Sequence, residues 1–256
     1  MKNIGKLAVL GVVLTASASA FASTIALGSY GSTSVYNPGA ISVANSEVVY
    51  AGYENYATVA AIPATPGPLV GASGSGFTAA NVFATDLDPQ APGTWTAAGA
   101  NSSYVGINGT AGPVNTKNPA YGYYEFTTSF NVSQGYAGTL NILADDTVEV
   151  LLTNANGVNQ ILASFAPLGG DTHCATGGQP NCVLADSVNL TATTGANTLT
   201  FIVEQAGTGV VGGKNDPSGF DFYGTLSPTP EPSSLMLLGT GLVSAAGAFL
   251  RKRVTA

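Results

Sequence analysis

From Tyr121 onward, apolar and small polar residues alternate along the chain. Tyr121 to Val132 (YGYYEFTTSFNV) is the clearest case, and a period of two predicts a strand with one face buried. Thr139 to Leu143 and Val148 to Leu152 continue the pattern, separated by Ala144-Asp145-Asp146-Thr147, a tight polar turn. Asn156-Gly157 signals a hairpin, because both residues tolerate the positive φ of a primed turn. Gln160 to Phe165 is its return strand, and Val188 to Thr191, Leu199 to Glu204 and Phe220 to Leu226 complete a run of seven. Short strands at this spacing predict an all-β fold, an antiparallel β-sandwich or jelly roll.

Before Tyr121 the pattern is weaker. Ser42 to Ala60 holds one or two strands around Glu47-Val-Val-Tyr50, and residues 63–76, rich in proline and glycine, read as a loop or linker. We expect the early strands to be edge strands of the same sandwich, so that residues 23–226 form one domain; a separate unit before Gly76 is the alternative. No fixed-period repeat is visible, which argues against a solenoid or propeller.

Both ends break the pattern. Lys2 and Lys6 precede a short apolar core, Leu7 to Leu14, and Ala20-Phe21-Ala22 places small side chains at positions −3 and −1. Residues 1–22 therefore read as a signal peptide cut by signal peptidase between Ala22 and Ser23, with a cut after Ala20 as the alternative. At the other end, Ser227 to Pro232 (SPTPEP) is proline-dense and cannot continue a helix or central strand. Ser233 to Leu250 then runs without a charge, and Arg251-Lys252-Arg253 follows at once. As a helix that run would be roughly 27 Å long, enough for a thin hydrocarbon core. Three adjacent cations resist translocation, so residues before Ser233 are expected outside the membrane.

Charge narrows the function classes. Between Ser23 and Pro232 only Lys117 and Lys214 oppose all fourteen acids, a net charge of −12. A surface this acidic repels phosphate backbones, so nucleic acid is not an expected partner. Cys174 and Cys182, within DTHCATGGQPNC, suit one small disulfide loop in an oxidising compartment. With His173 they would alternatively form a metal set that lacks a nearby fourth ligand.

Catalytic signals are thin. His173 is the only histidine, and no Gly-x-Ser-x-Gly elbow, His-Glu-x-x-His or P-loop occurs. Asp145 and Asp146 would point apart in a strand, a poor pair for glycoside hydrolysis, so the chain is not expected to be an enzyme. Asp145 and Asp146, with Glu149, could offer oxygens to Ca²⁺, although neither they nor Asp86 and Asp88 make a full EF-hand loop. Turn chemistry is the plainer account of both pairs. Trp95 and Tyr104 are candidate platforms for sugar rings. Tyr121, Tyr123 and Tyr124 are equally available, but alternating tyrosines in a strand more often serve packing.

Pro230-Glu231-Pro232, the apolar run and the terminal basic cluster, in that order, resemble the PEP-CTERM sorting domain over about the last 29 residues. The resemblance implies recognition by an exosortase, cleavage near Pro230 to Pro232, and release or transfer of the body to the cell surface. It also implies a host that makes exopolysaccharide and biofilm. The expected localisation is inner-membrane anchorage by the C-terminal helix before processing, then the surface or extracellular matrix. A plain C-terminal anchor is the alternative. The body resembles the jelly-roll or galactose-binding-like region of such proteins, carried by Trp95, Asn101 to Gly106, Phe126 to Phe130 and Leu143 to Asp146. No sugar-contacting residue transfers with it. A structural or adhesive role with weak polysaccharide binding follows, against the alternative of a secreted glycan-active enzyme.

Overall fold

The computed structural model describes residues 23–31, 33–34, 47–71, 83–85, 99, 102, 104–106, 120–166, 184–206, 219–229 and 239–245. Apart from a short 3₁₀ turn at Val59–Ala61 and a helix over 239–245, its regular structure is β. The strands are β1 (Ile25–Gly28), β2 (Tyr30–Gly31), β3 (Thr33–Ser34), β4 (Glu47–Tyr56), β5 (Val70–Gly71), β6 (Phe83–Thr85) and β7 (Tyr104–Gly106). They continue with β8 (Tyr121–Val132), β9 (Tyr136–Asp145), β10 (Thr147–Thr153), β11 (Asn159–Ala163), β12 (Asp186–Ala192), β13 (Gly195–Gln205) and β14 (Gly219–Pro228). Two units separate, Ile25–Leu226 and the paired ends Met1–Thr24 with Ser227–Ala256.

All these strands fall into two sheets. The first runs β12-β9-β14-β7-β6-β3, with β1 also on β14; the second runs β11-β10-β13-β8-β4-β2, with β5 also on β4. Pairing is antiparallel except where the two-residue strands β2 and β3 lie parallel to β4 and β6. The predicted all-β, antiparallel architecture is therefore present. β4 pairs with β8 from Val49↔Thr127 to Tyr56↔Tyr121, and β1 pairs with β14. The segment after β4 returns to it as β5, through Gly52↔Gly71 and Tyr53↔Val70, so its described part is a loop within one sheet.

Alternation decides what lies between the sheets. In β8 the even positions Tyr124, Phe126, Thr128, Phe130 and Val132 are buried. The register Phe126↔Phe201 puts Phe201 and its odd-numbered neighbours in β13 on the same side. Phe220 and Phe222 of β14 meet them from the other sheet, with ring centroids 5.1 Å (Phe126–Phe220), 4.7 Å (Phe201–Phe220) and 4.6 Å (Phe201–Phe222) apart. Each such ring contributes roughly 2–3 kcal/mol by burial, and each stacked pair about 0.5–1.5 kcal/mol more.

Two turns differ from expectation. Ala144 to Thr147 is not a four-residue turn: β9 runs on to Asp145 and β10 starts at Thr147, so the chain crosses from one sheet to the other at Asp146 alone. Instead of capping a local turn, the Asp146 carboxylate accepts the Ala206 N–H at 2.6 Å, sixty residues away. The β10–β11 connection is a five-residue loop, closed by Thr153↔Asn159, and not a two-residue primed turn. Asn154 Oδ1 accepts from the backbone of Asn156 and Val158, and Gly157 takes φ 74° after a Gly157 N–H to Asn154 O bond of 2.8 Å. A side-chain cap from Asn154 thus closes the loop, with Gly157 at a positive-φ position.

A buried carboxylate ties β1 to β14. Asp221 is fully buried and accepts from Ser29 Oγ at 2.7 Å and from Gly99 N at 2.8 Å, with Ser102 a further side-chain partner. Ser29 N also donates to Phe222 O at 2.9 Å, and its Oγ accepts the Phe222 N–H at 3.1 Å. Burial pushes the Asp221 carboxyl above its ordinary pKa, while these donors pull it back. Ser29→Ala removes one donor from a carboxylate that water cannot reach, and should destabilise the fold by about 1–3 kcal/mol. Urea denaturation of the two proteins at neutral pH measures it; a loss within error of zero would mean the bond contributes nothing.

Candidate functional site

The outward positions of β8 and β13 should face water, yet one end of this face is closed. Cross-strand pairing sets Glu54 of β4, Tyr123 of β8, Glu204 of β13 and Thr147 of β10 in one row. Glu125 and Glu149 belong to the next row, either side of Ile202. The loop after β4 covers the first row, with the Tyr123 hydroxyl donating to Pro63 O and Gly67 N donating to Glu54 Oε2 at 2.7 Å. From the other side, Phe165 packs on the Tyr123 ring at 5.4 Å, and Ala166 N donates to Thr147 Oγ1 at 2.7 Å.

This cover changes the electrostatics. Glu204 is only 8% exposed, and burial, reinforced by the Asp146 charge, raises its pKa to about 7. Burial also raises Glu125 and Glu149 above the usual carboxylate range. The Tyr123 hydroxyl is raised by burial and then by the Glu204 charge. Tyr56 is raised to about 12, chiefly through its hydrogen bond to Glu54. A sheet face carrying four carboxylates and no described base thus holds part of its acid in the neutral form near pH 7.

The structure separates the residues singled out in the sequence. Asp146 is 1% exposed and bonded to the backbone. Asp145 is the last residue of β9, and Tyr104 opens β7 opposite Thr85. Tyr123 and Tyr124 are buried, the latter donating to Ala120 O at 2.6 Å. Ser23 is exposed. Trp95, His173, Cys174, Cys182, Ala22, Pro230 to Pro232 and Arg251 to Arg253 lie outside the described residues. Among the described residues, no group of three histidines, cysteines or carboxylates is placed to hold a metal. No described helix is long and apolar enough to cross a membrane, and of the expected span 233–250 the helix at 239–245 is the part described. The Glu54, Glu125 and Glu204 cluster was missed in the sequence because only strand register assembles it. The one available signal was that each acid sits at an outward position of a strand.

Residues 228–253 match the PEP-CTERM protein-sorting motif, and this match begins at Pro228, the last residue of β14. No curated protein matches the sequence. Among solved structures, the chain is similar to the β-glucosidase from Kluyveromyces marxianus in complex with glucose, at 11% identity, 46% of this chain and TM-score 0.25. It spans 12% of that enzyme's length. It is similar also to CBM35 from Cellvibrio japonicus Abf62, at 9% identity, 71% of this chain, 93% of that chain and TM-score 0.29. A CBM4 structure matches at 11% identity, 50% of this chain, 76% of that chain and TM-score 0.22. At these TM-scores the likenesses carry neither a ligand nor an activity across.

The Glu204 environment predicts acid stabilisation. Its folded pKa of about 7 lies above the ordinary 4.5, so the stability it allows is complete below pH 4.5 and is lost as pH rises through 7. The loss is about 3 kcal/mol, and Glu125 and Glu149 add to it in the same direction. Glu204→Gln should flatten this fall and make the protein more stable than the parent at pH 8. Thermal melts from pH 4 to 8 read the effect, and parallel pH profiles for the two proteins would contradict it.

Proposed function

We propose that this chain is an exported protein of the bacterial surface or biofilm matrix, sorted by an exosortase, whose β-sandwich body is structural or adhesive. One observation carries the reading: a PEP-CTERM motif at residues 228–253 that starts where β14 ends. The last strand of the body ends at Pro228, so a cut at Pro230 to Pro232 would remove no strand residue. The proline-dense segment suits an extended protease substrate, because it forms no competing backbone ladder. The apolar run and Arg251 to Arg253 would hold the chain in the inner membrane, body outward, until cleavage. Signal peptidase and the exosortase are then its processing partners, and the processed body goes to the surface or matrix.

No catalytic role is assigned. Asp146 and Asp221 hold backbone and hydroxyl donors inside the fold, and Glu204 lies beneath the Pro63 and Phe165 segments. A glycan-active enzyme is the second reading, favoured by one feature, the near-neutral pKa of Glu204, which would suit a general acid. Turnover of an extracted exopolysaccharide that disappears in Glu204→Gln would establish it.

Mass spectrometry of the protein from membranes and medium of its host tests the sorting reading. The mature form should begin at Ser23 and end near Pro230 to Pro232, and alanine at all three of Pro230, Glu231 and Pro232 should leave the full tail in the membrane fraction. An unprocessed chain in the cytosol would overturn export. A native protein that stays in membranes and retains Arg251 to Ala256 would reduce the tail to an anchor.

A further inference from the structure

The two outer faces of the sandwich differ in chemistry. The second sheet carries Glu54, Glu125, Glu149 and Glu204. On the first sheet, the exposed outward positions of β12 are Ser187, Asn189 and Thr191, and those of β9, β14 and β1 are Thr139, Thr225 and Ala26. None is charged, in a chain whose net charge is −7. Asp221, at an outward position of β14, is fully buried and satisfied by Ser29 and Gly99.

A groove of about 450 Å³ runs along this face between β9, β14 and β1, lined by Ala26, Thr139, Asn141, Tyr223 and Thr225, within the range of ligand sites. Its floor is backbone, because Gly138 and Gly224 bring β9 and β14 unusually close: a Cβ on either would come within 2.0 Å of Thr225 O or 2.3 Å of Thr139 O. Asn141 is oriented by Ser187 Oγ, which donates to its Oδ1 at 2.5 Å, while its Nδ2 reaches Tyr223 O at 3.4 Å. The Tyr223 ring lies where a Cβ on Gly99 would be, so bare backbone backs the ring.

We propose that this groove binds an uncharged polysaccharide chain, a site that deepens the polysaccharide-binding part of the function proposed above and rests on it. A neutral sugar offers hydroxyls, which Thr139, Asn141 and Thr225 can meet as donors and acceptors, and C–H faces, which an anchored tyrosine ring can meet. A protein partner would want an apolar, aromatic core, and the described lining of the groove has one aromatic ring, Tyr223, among threonines, glycines and an asparagine. A uronate or sulfated polymer would need a base to pair with. The described lining supplies none, and the chain's charge opposes it. A metal ion has no carboxylate in the lining to bind.

Affinity electrophoresis tests this with the full-length protein in a zwitterionic detergent, which carries no sugar headgroup to compete. The native gels contain dextran, a linear β-glucan, galactomannan or polygalacturonate. Retardation is expected in at least one neutral polymer and not in polygalacturonate. Thr139→Arg and Thr225→Arg, both at exposed positions, should abolish it with unchanged melting temperature. Asn141→Ala should weaken it roughly tenfold, the loss of one or two hydrogen bonds. Glu149→Gln, on the opposite face, should leave it as it was. Retardation that survives both arginine variants would place the sugar site elsewhere and leave the polysaccharide reading standing. Retardation by polygalacturonate alone would overturn the neutral-ligand assignment. No retardation in any gel would remove the binding part of the proposed function, and the groove assignment with it. A dimer that the arginine variants dissociate would make this face a contact between copies, and the proposal would fail.

Discussion

Four phenylalanine rings hold the two sheets together, and the rest of the body is arranged around that contact. Phe126 and Phe201 come from adjacent strands of one sheet and Phe220 and Phe222 from a single strand of the other, so the stack is a bolt through the sandwich. Its geometry requires both strands to keep their register, because a slip of one residue would turn every ring toward solvent. The stack therefore constrains the outer faces as strictly as the core. Once Phe126 points inward, Tyr123 and Glu125 must point outward, and so must Glu204 and Ile202 opposite them.

Polar anchors secure what the aromatic stack leaves loose. Asp221 gathers donors from β1 and from the Gly99–Ser102 segment, and Asp146 receives the Ala206 amide at the point where the chain passes from one sheet to the other. Each joins residues far apart in sequence, and each buries a carboxylate that would be costly without its donors. The same logic explains the shape of the β10–β11 loop, where Asn154 meets two backbone amides with one side-chain oxygen.

The separation of charge between the faces bears on function more directly than any single residue. Carboxylates crowd the second sheet, with Glu204 partly neutral at pH 7, and the segments carrying Pro63 and Phe165 roof one end. The first sheet presents hydroxyls and amides around a glycine-floored groove. In the function proposed above, the acidic face would keep the body soluble and the neutral face would contact uncharged polymer. The sorting motif fits this division, because it begins at the end of β14, the strand that supplies both Phe220 to the core and Tyr223 to the groove.

Much of this was legible in the chain itself. Alternation from Tyr121 to Leu226 specified the strands between those residues, because side chains on a strand must alternate between core and solvent. The proline segment, the uncharged run and the three terminal bases announced the sorting tail through local composition. What local pattern could not convey was partnership. Ala144 to Thr147 looked like a tight polar turn, yet β9 and β10 join different sheets, since a short polar stretch is compatible with either path. The Glu54–Tyr123–Glu204 row and the Gly138–Gly224 floor each need strands distant in sequence, and long-range pairing is decided by how all the inner faces fill one core. The sequence by itself determined the strands from Tyr121 onward and which end is the address; tertiary packing alone decided which strands are neighbours, and with them the two faces the protein presents.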